Sequence, residues 1–243
     1  MSKKDKVLFV IPAYNEEENI ARLIKELKHH CPDYDYIVIN DCSKDHTKDI
    51  LVSNNYNYID LPINLGIGGG VQTGYLYAVQ NDYDIAVQMD GDGQHDPAYL
   101  AKIVEKVALD EADMCIGSRF ISNEGFQTSA MRRFGIRFLK LLIKLCCGVT
   151  VNDTTSGFRA TNKEVNKFYS KNYAQDYPEP EAIIAAVNNG FRVMEVPVVM
   201  RERLGGVSSI NPIKSVYYMI KVSLAIILHG VFRGKEKTNG NRT

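Results

Sequence analysis

Net charge is missing from this chain: 29 acidic and 29 basic side chains cancel in 243 residues. No excess of lysine and arginine advertises a broad nucleic-acid surface, so any phosphate partner must be met locally. Paired cysteine motifs are missing too. The five cysteines form no C-x-x-C, and Cys146 and Cys147 are adjacent, which argues against a zinc site and for reduced thiols in a cytoplasmic setting. The N-terminus "MSKKDKVLFVIPAYNEE" is basic, yet its apolar stretch of about five residues is shorter than a signal-peptide core. A cytoplasmic location is expected. There is no internal repeat, no low-complexity linker and no composition break that marks a domain boundary, and a chain of this size can bury a core as one large α/β domain.

What is present alternates. "KVLFVIP" precedes a helical pattern from about Glu16 to His30, "YDYIVIN" one after Ser43, "YNYIDLP" one after a glycine run, and "YDIAVQM" one after Pro97; "ADMCIGS" closes the series. Strand and helix in alternation predict a doubly wound, mainly parallel sheet with helices on both faces. Ligands of such sheets bind at the carboxyl ends of the strands. Pro12, Asp41, Asn64, Asp90 and Arg119 all fall near predicted strand ends, so they are expected to meet on one rim. The second half reads differently, with a basic amphipathic stretch at 131–147, an acidic "DYPEPEA", a strand "FRVMEVPVVM" and an apolar helix near the end.

In "VQMDGDGQHDP" an apolar run meets Asp90, Asp92 and Asp96 directly. Charge at the end of a buried strand is costly unless it is compensated. Two carboxylates separated by one glycine can turn toward one hard cation, and Gln94 adds a neutral oxygen. An EF-hand is a poor fit, because the third ligand position is Gln94 followed by His95 and the terminal glutamate is missing, whereas magnesium or manganese with few protein ligands and a diphosphate completing the shell fits better. The second loop, "NLGIGGGVQTG", carries Gly66, Gly68, Gly69 and Gly70 into a helix, where amides are expected to face a phosphate. It matches neither G-x-G-x-x-G nor a Walker A loop, which disfavours NAD and ATP chemistry.

Taken in order, "VIPAYNEEENI", "INDCSKDHT", "NLGIGGG", "DGDGQHDP", "GSRF", "DTTSGFRA" and "RLGGVS" resemble the family 2 glycosyltransferases, especially the dolichyl- and polyprenyl-phosphate sugar synthases. The resemblance runs from residue 7 to about residue 210. It implies a GT-A fold over residues 1–211, with residues 212–243 left as an amphipathic helix and basic tail. It also implies that Pro12, Tyr14, Glu16 and Asp41 line the nucleotide, that Asp90, Asp92 and Gln94 hold the metal on the donor diphosphate, and that Arg203 clamps that diphosphate. Arg119 and one of Arg132 or Arg133 would meet an acceptor phosphate. Asn40 and Cys42 depart from the D-D-G-S form of that segment, which bears on base identity.

A sugar hydroxyl acceptor needs a general base, whereas a phosphate is already an anion. Asp153, Glu179 and Glu181 are the candidate carboxylates. Glu181 lies nine residues before Gly190, a spacing that resembles a donor-sugar contact in the polyprenyl-phosphate branch. The stretch "SVYYMIKVSLAIILHGVF", interrupted by Lys221 and flanked by Lys214, Arg233, Lys235 and Lys237, is marginal for spanning a bilayer and suits an interfacial helix or a core helix. The basic stretch at 131–147 offers a second lipid-facing surface. The expected activity is therefore an inverting hexosyl transfer in cell-envelope glycan synthesis. A nucleotide-diphospho-sugar, UDP-linked by preference, is the donor and a polyprenyl phosphate the acceptor, at the inner face of the plasma membrane. Transfer to a saccharide hydroxyl is the alternative, a regulatory module without catalysis a more distant one, and a homo-oligomer is compatible with either enzyme.

Overall fold

The computed structural model describes residues 5–122, 124, 130–176, 178–201 and 219–227. Alternation of side chains along the first strand sets the layers. In β1 (Val7–Ala13), every residue is buried; Val7, Phe9 and Ile11 enter one core cluster and Leu8 and Val10 the other. That is the period of two of a strand covered on both faces. β2 (Asp35–Asn40) and β3 (Tyr58–Asp60) extend the sheet on one side of β1, and β4 (Ile85–Gln88) pairs with its other side, all parallel. On the first face lie α1 (Ile20–His30), α2 (Thr47–Ser53) and α4 (Leu100–Ala108), which bury Leu23, Leu51 and Ile103 there. The second face carries α3 (Gly66–Gln80), α5 (Ala130–Cys147), α6 (Lys163–Tyr169) and α7 (Pro178–Asn188), with Tyr75, Leu139, Val165 and Ile183 inside.

The order of the seven strands is β3-β2-β1-β4-β6-β5-β7. β5 (Met114–Ser118) follows β4 in the alternating series but does not pair with it. Instead β6 (Arg159–Asn162) lies between them and runs antiparallel to both, Gln88 and Ile116 each facing Arg159. β7 (Val193–Pro197) then pairs parallel with β5. Because β6 is reversed, the loop before it, residues 153–158, arrives at the same edge as the carboxyl ends of β1, β2, β4 and β5. The mainly parallel, doubly wound sheet expected from the alternation is present, with this one strand inserted.

Two helices begin later than their sequence pattern suggests. α1 starts at Ile20, four residues after Glu16, because the amides of Glu16 and Glu17 donate to Thr47 and Asp45 and Asn15 takes φ +57°. α4 is preceded by a 3₁₀ turn at Pro97–Tyr99, capped by Asp96 accepting from the amide of Ala98 at 3.0 Å. All five cysteines are free thiols. Residues 219–227 are helical and bury Val222 and Ile226 in the second core cluster, so part of the segment expected at 212–243 packs on the catalytic core.

Candidate active site

The loop after β1 and the loop after β2 are joined by amides donating into short side chains. Asn15 N–H donates to Ser43 Oγ at 3.0 Å, and Lys44 N–H returns to Asn15 Oδ1 at 2.8 Å. Glu16 N–H donates to Thr47 Oγ1 and His46 N–H to Glu17, each at 2.8 Å. "YNEE" and "CSKDHT" thus act as one unit. Above it Pro12 is buried and Tyr14 is exposed, an arrangement that offers a ring to a base. Asp41 is buried; its carboxylate accepts from Leu65 N–H at 2.6 Å and its carbonyl from Asn64 at 2.9 Å. Burial pushes the Asp41 carboxyl up, against the pull of the Leu65 and Gly66 amides.

Of the glycines expected to face a phosphate, Gly68 is packed against the protein itself. Gly68 N–H donates to Gln175 O at 3.1 Å, so this amide is engaged within the protein. A Cβ at Gly68 would lie 2.2 Å from Ala174 O, and one at Gly74 would lie 2.0 Å from Val10. The glycines let α3 approach β1 and residues 174–175 at backbone distance.

Asp90, Asp92 and Gln94 stand at the end of β4. Asp92 is buried and accepts from Gln94 N–H at 3.0 Å; Asp90 is half-buried. A Cβ on Gly157 would lie 2.9 Å from Asp90 Oδ1, and one on Gly91 would lie 3.1 Å from Pro12 O, so glycine is what lets these segments close around the carboxylates. Burial raises the Asp90 pKa, with the Asp92 charge adding to it, while His95 and Arg159 pull the other way. His95 is missed by the sequence reading. Its ring stacks on Phe158 with centroids 4.8 Å apart, and Nδ1 accepts the amide of Asp90 at 3.1 Å. Nε2 lies 3.7 Å from Asp90 Oδ2. Arg159 is also missed. It is fully buried and donates to Ser156 O and Glu179 O. Asp96 belongs elsewhere: it caps the turn at Pro97 and pairs with Arg201 at 2.8 Å.

The residues present fit a divalent cation. Two carboxylates at a strand end, in a cradle that a Cβ would fill, carry charge that burial makes costly. Among the described residues no set of three or more His, Cys, Asp or Glu converges as a preformed metal centre, so a cation here would rest on Asp90, Asp92 and oxygens outside those residue types. Arg201 N–H donates to Gln94 O at 2.9 Å and its guanidinium to Glu26 at 2.6 Å, so the chain reaches the D-G-D loop as it leaves position 201. Arg203 lies outside the described residues, as does the side chain of Arg132.

Arg119 is less available than the sequence suggests. It is buried, and Nε and Nη2 each donate to Asp153 at 2.7 Å. Asp153, fully buried, is held in turn by Glu195 of β7. Glu195 accepts from the amide of Asp153 at 2.8 Å and from the amide of Asn152 at 2.7 Å, and Lys140 of α5 donates to Asn152 Oδ1 at 2.6 Å. Asp153 is therefore the partner of Arg119, not a base poised for a hydroxyl. Arg133 is half-buried on α5. Glu181 lines a cavity of about 360 Å³ with Phe168, Asn172, Ala185 and Asn189, and the Glu179 carbonyl meets Arg159 beside Asp90.

Comparison with known proteins bears on the family and the fold. The model of "Glycosyl transferase family 2" matches residues 8–169. The UDP-N-acetylglucosamine--dolichyl-phosphate N-acetylglucosaminyltransferase of Methanococcus voltae is 33% identical over 80% of this chain and 85% of its own. The polyprenol monophosphomannose synthase of Mycolicibacterium smegmatis is 29% identical over 85% and 81%. Among solved structures, glucosyl-3-phosphoglycerate synthase from Mycobacterium tuberculosis, in complex with Mn2+, UDP and phosphoglyceric acid, superposes with a TM-score of 0.67 at 18% identity, covering 94% of this chain and 78% of that one. The chain belongs to the family 2 glycosyltransferases and has the GT-A fold.

Proposed function

We propose that the protein transfers a hexose from a nucleotide-diphospho-sugar, UDP-linked by preference, to the phosphate of a polyprenyl phosphate, with inversion at the anomeric carbon. The observation that carries this reading is the pairing of Asp153 with Arg119. A carboxylate held by two charge-assisted bonds is a poor proton acceptor. A phosphate acceptor needs none: its oxygen forms the new bond to the anomeric carbon as the bond to the leaving diphosphate breaks, and the diphosphate departs with the electron pair. Two similar proteins bear names that place their sugar on a dolichyl or polyprenyl carrier. The preference for UDP rests on one of those names and on the UDP-bound fold relative.

In this reading Asp41 and the exposed ring of Tyr14 receive the nucleoside, and the joined loops after β1 and β2 hold them in place. Asp90 and Asp92, with Gln94, would hold magnesium or manganese. The ion would draw negative charge from the leaving diphosphate. His95 accepts the amide of Asp90 and so fixes its backbone, and Arg159 places positive charge behind it. On the acceptor side Arg119, oriented by Asp153, contributes positive field near the same carboxylate, since Asp90 and Arg119 interact electrostatically. Arg203 stays a proposed diphosphate clamp and Glu181 a proposed donor-sugar contact.

The test is transfer from radiolabelled UDP-glucose, UDP-N-acetylglucosamine and GDP-mannose to detergent-solubilised undecaprenyl phosphate, undecaprenol and a soluble saccharide. The expected result is an acid-labile glycolipid from the phosphate acceptor alone. Transfer to the saccharide with none to the phosphate would replace this reading with the hydroxyl one.

A further inference from the structure

α5 has two apolar sides. Ile136, Leu139, Ile143 and Cys147 are buried in the core. On the opposite side Phe134, Phe138, Leu141 and Leu145 are exposed, Phe134 at 73% and Leu145 at 74%. At 3.6 residues per turn these four form a stripe roughly 60° wide. Arg133, Arg137, Lys140 and Lys144 fall along one edge of it by the same geometry. The other edge meets residues 219–227, where a Cβ on Gly135 would lie 3.1 Å from Met219 Sδ. There Val222 and Ile226 are buried with Leu139 and Ile143, while Ile220, Leu224 and Ile227 stay exposed.

Single exposed apolar side chains are ordinary, but seven on two neighbouring helices make a patch that wants a partner. Charge says which. α5 carries five bases and no acid in a chain whose net charge is zero, and a basic edge beside an apolar stripe matches an anionic leaflet. No helix among the described residues is long and apolar enough to cross a membrane, and the stripe is shaped to lie in the interface. We propose that α5, with residues 219–227 beside it, docks the enzyme on an anionic lipid surface, aromatic and leucine side chains among the acyl chains and the basic edge against the headgroups.

This rests on the polyprenyl phosphate reading for its purpose, since such an acceptor holds its phosphate at headgroup depth. The structure ties the two together: Lys140, on the basic edge, is hydrogen-bonded to Asn152, the neighbour of the Asp153 that holds Arg119. Docking therefore sets the acceptor half of the site at the height of the phosphate.

The experiment uses the full chain and vesicles of phosphatidylcholine with or without phosphatidylglycerol, free of any polyprenyl lipid. The wild-type protein should sediment with the anionic vesicles and stay in solution with the neutral ones. Phe134→Ser combined with Leu145→Ser should weaken that binding about tenfold or more. Arg137→Glu with Lys144→Glu should abolish its dependence on phosphatidylglycerol. Thermal melts and donor binding should be unchanged in both variants. Transfer to detergent-solubilised undecaprenyl phosphate should be retained, whereas transfer in vesicles should fall. Wild-type protein that ignores anionic vesicles, or a serine variant that binds them as well, overturns the docking surface. So does a dimer in solution that the serine substitutions dissociate, which would assign the stripe to a second copy. Because the vesicles contain no acceptor, failure of the polyprenyl phosphate reading alone would leave the sedimentation result intact.

Discussion

At the ends of β1 and β2 the loops are held by backbone amides donating into short polar side chains, whereas at the ends of β5 and β7 they are held by charges. The first region is built from residues near one another in sequence or in adjacent parallel strands, Asn15 with Ser43 and Glu16 with Thr47. The second joins Arg119, Asp153, Glu195 and Lys140 from four separate segments. The difference suits their proposed ligands. A nucleotide presents the same shape at each turnover and rewards a rigid backbone cradle. An acceptor phosphate presents charge, and a buried ion pair braced by hydrogen bonds to charged side chains can set the field it meets without contacting it directly.

Breaking the charged half should cost most. Asp153→Ala leaves the buried Arg119 guanidinium without its carboxylate, and about 3–5 kcal/mol of stability should be lost in a urea titration; a loss below about 1 kcal/mol would show that solvent already screens the pair. Asp92→Asn should leave the melt nearly unchanged and reduce metal-dependent transfer about a hundred- to a thousandfold, the scale of removing one preorganised electrostatic contact. Unaltered turnover in magnesium or manganese would remove the D-G-D loop from the centre of the reaction. Glu195→Gln keeps the shape but offers one acceptor oxygen where two are used, stranding a partly buried amide for about 1–3 kcal/mol. Its mark should be a raised acceptor KM with unchanged donor affinity, and an equal rise for both substrates would make Glu195 merely structural.

The amide-held half should respond more mildly. Thr47→Val removes the acceptor of Glu16 N–H for about 1 kcal/mol and should weaken UDP binding while sparing the acceptor KM. Asp90→Asn sharpens the contrast in the other direction. The folded pKa of Asp90 is raised by burial, so its contribution to stability is full below the ordinary aspartate value of about 3.9 and is lost as pH rises through the elevated one. Without metal at neutral pH the variant should melt higher than wild type by on the order of a few degrees, with the difference closing in acid. A lower melting temperature at neutral pH would contradict the direction of that shift.

Legibility in sequence follows the same division. The strand and helix alternation, the D-G-D turn and the rim positions of Pro12, Asp41, Asp90 and Arg119 are local patterns, and all are present where expected. β6 was invisible because "RATN" is short and polar, and its place is set by neighbours on either side. Glu195 in "VMEVP" reads as the solvent face of an alternating strand; only the approach of the 152–153 amides reveals its partners. The close packing of Gly68 on residues 174–175 was not legible for a related reason: a glycine that admits a phosphate and one that admits another backbone look the same in one dimension.

The inserted strand also carries an order in time. β4 pairs with β6 through Ile85 and Asn162, and β5 with β7 through Met114 and Val193, so the edge that holds Arg119 cannot close until almost the whole described chain has emerged from synthesis. The nucleotide-side strands β1 to β4 close on contacts of shorter range and meet the lower loop-closure entropy. The proposed nucleoside cradle on β1 and β2 can therefore form before Asp153 and Glu195 reach Arg119, whereas the proposed diphosphate clamp at Arg203 follows both in the chain.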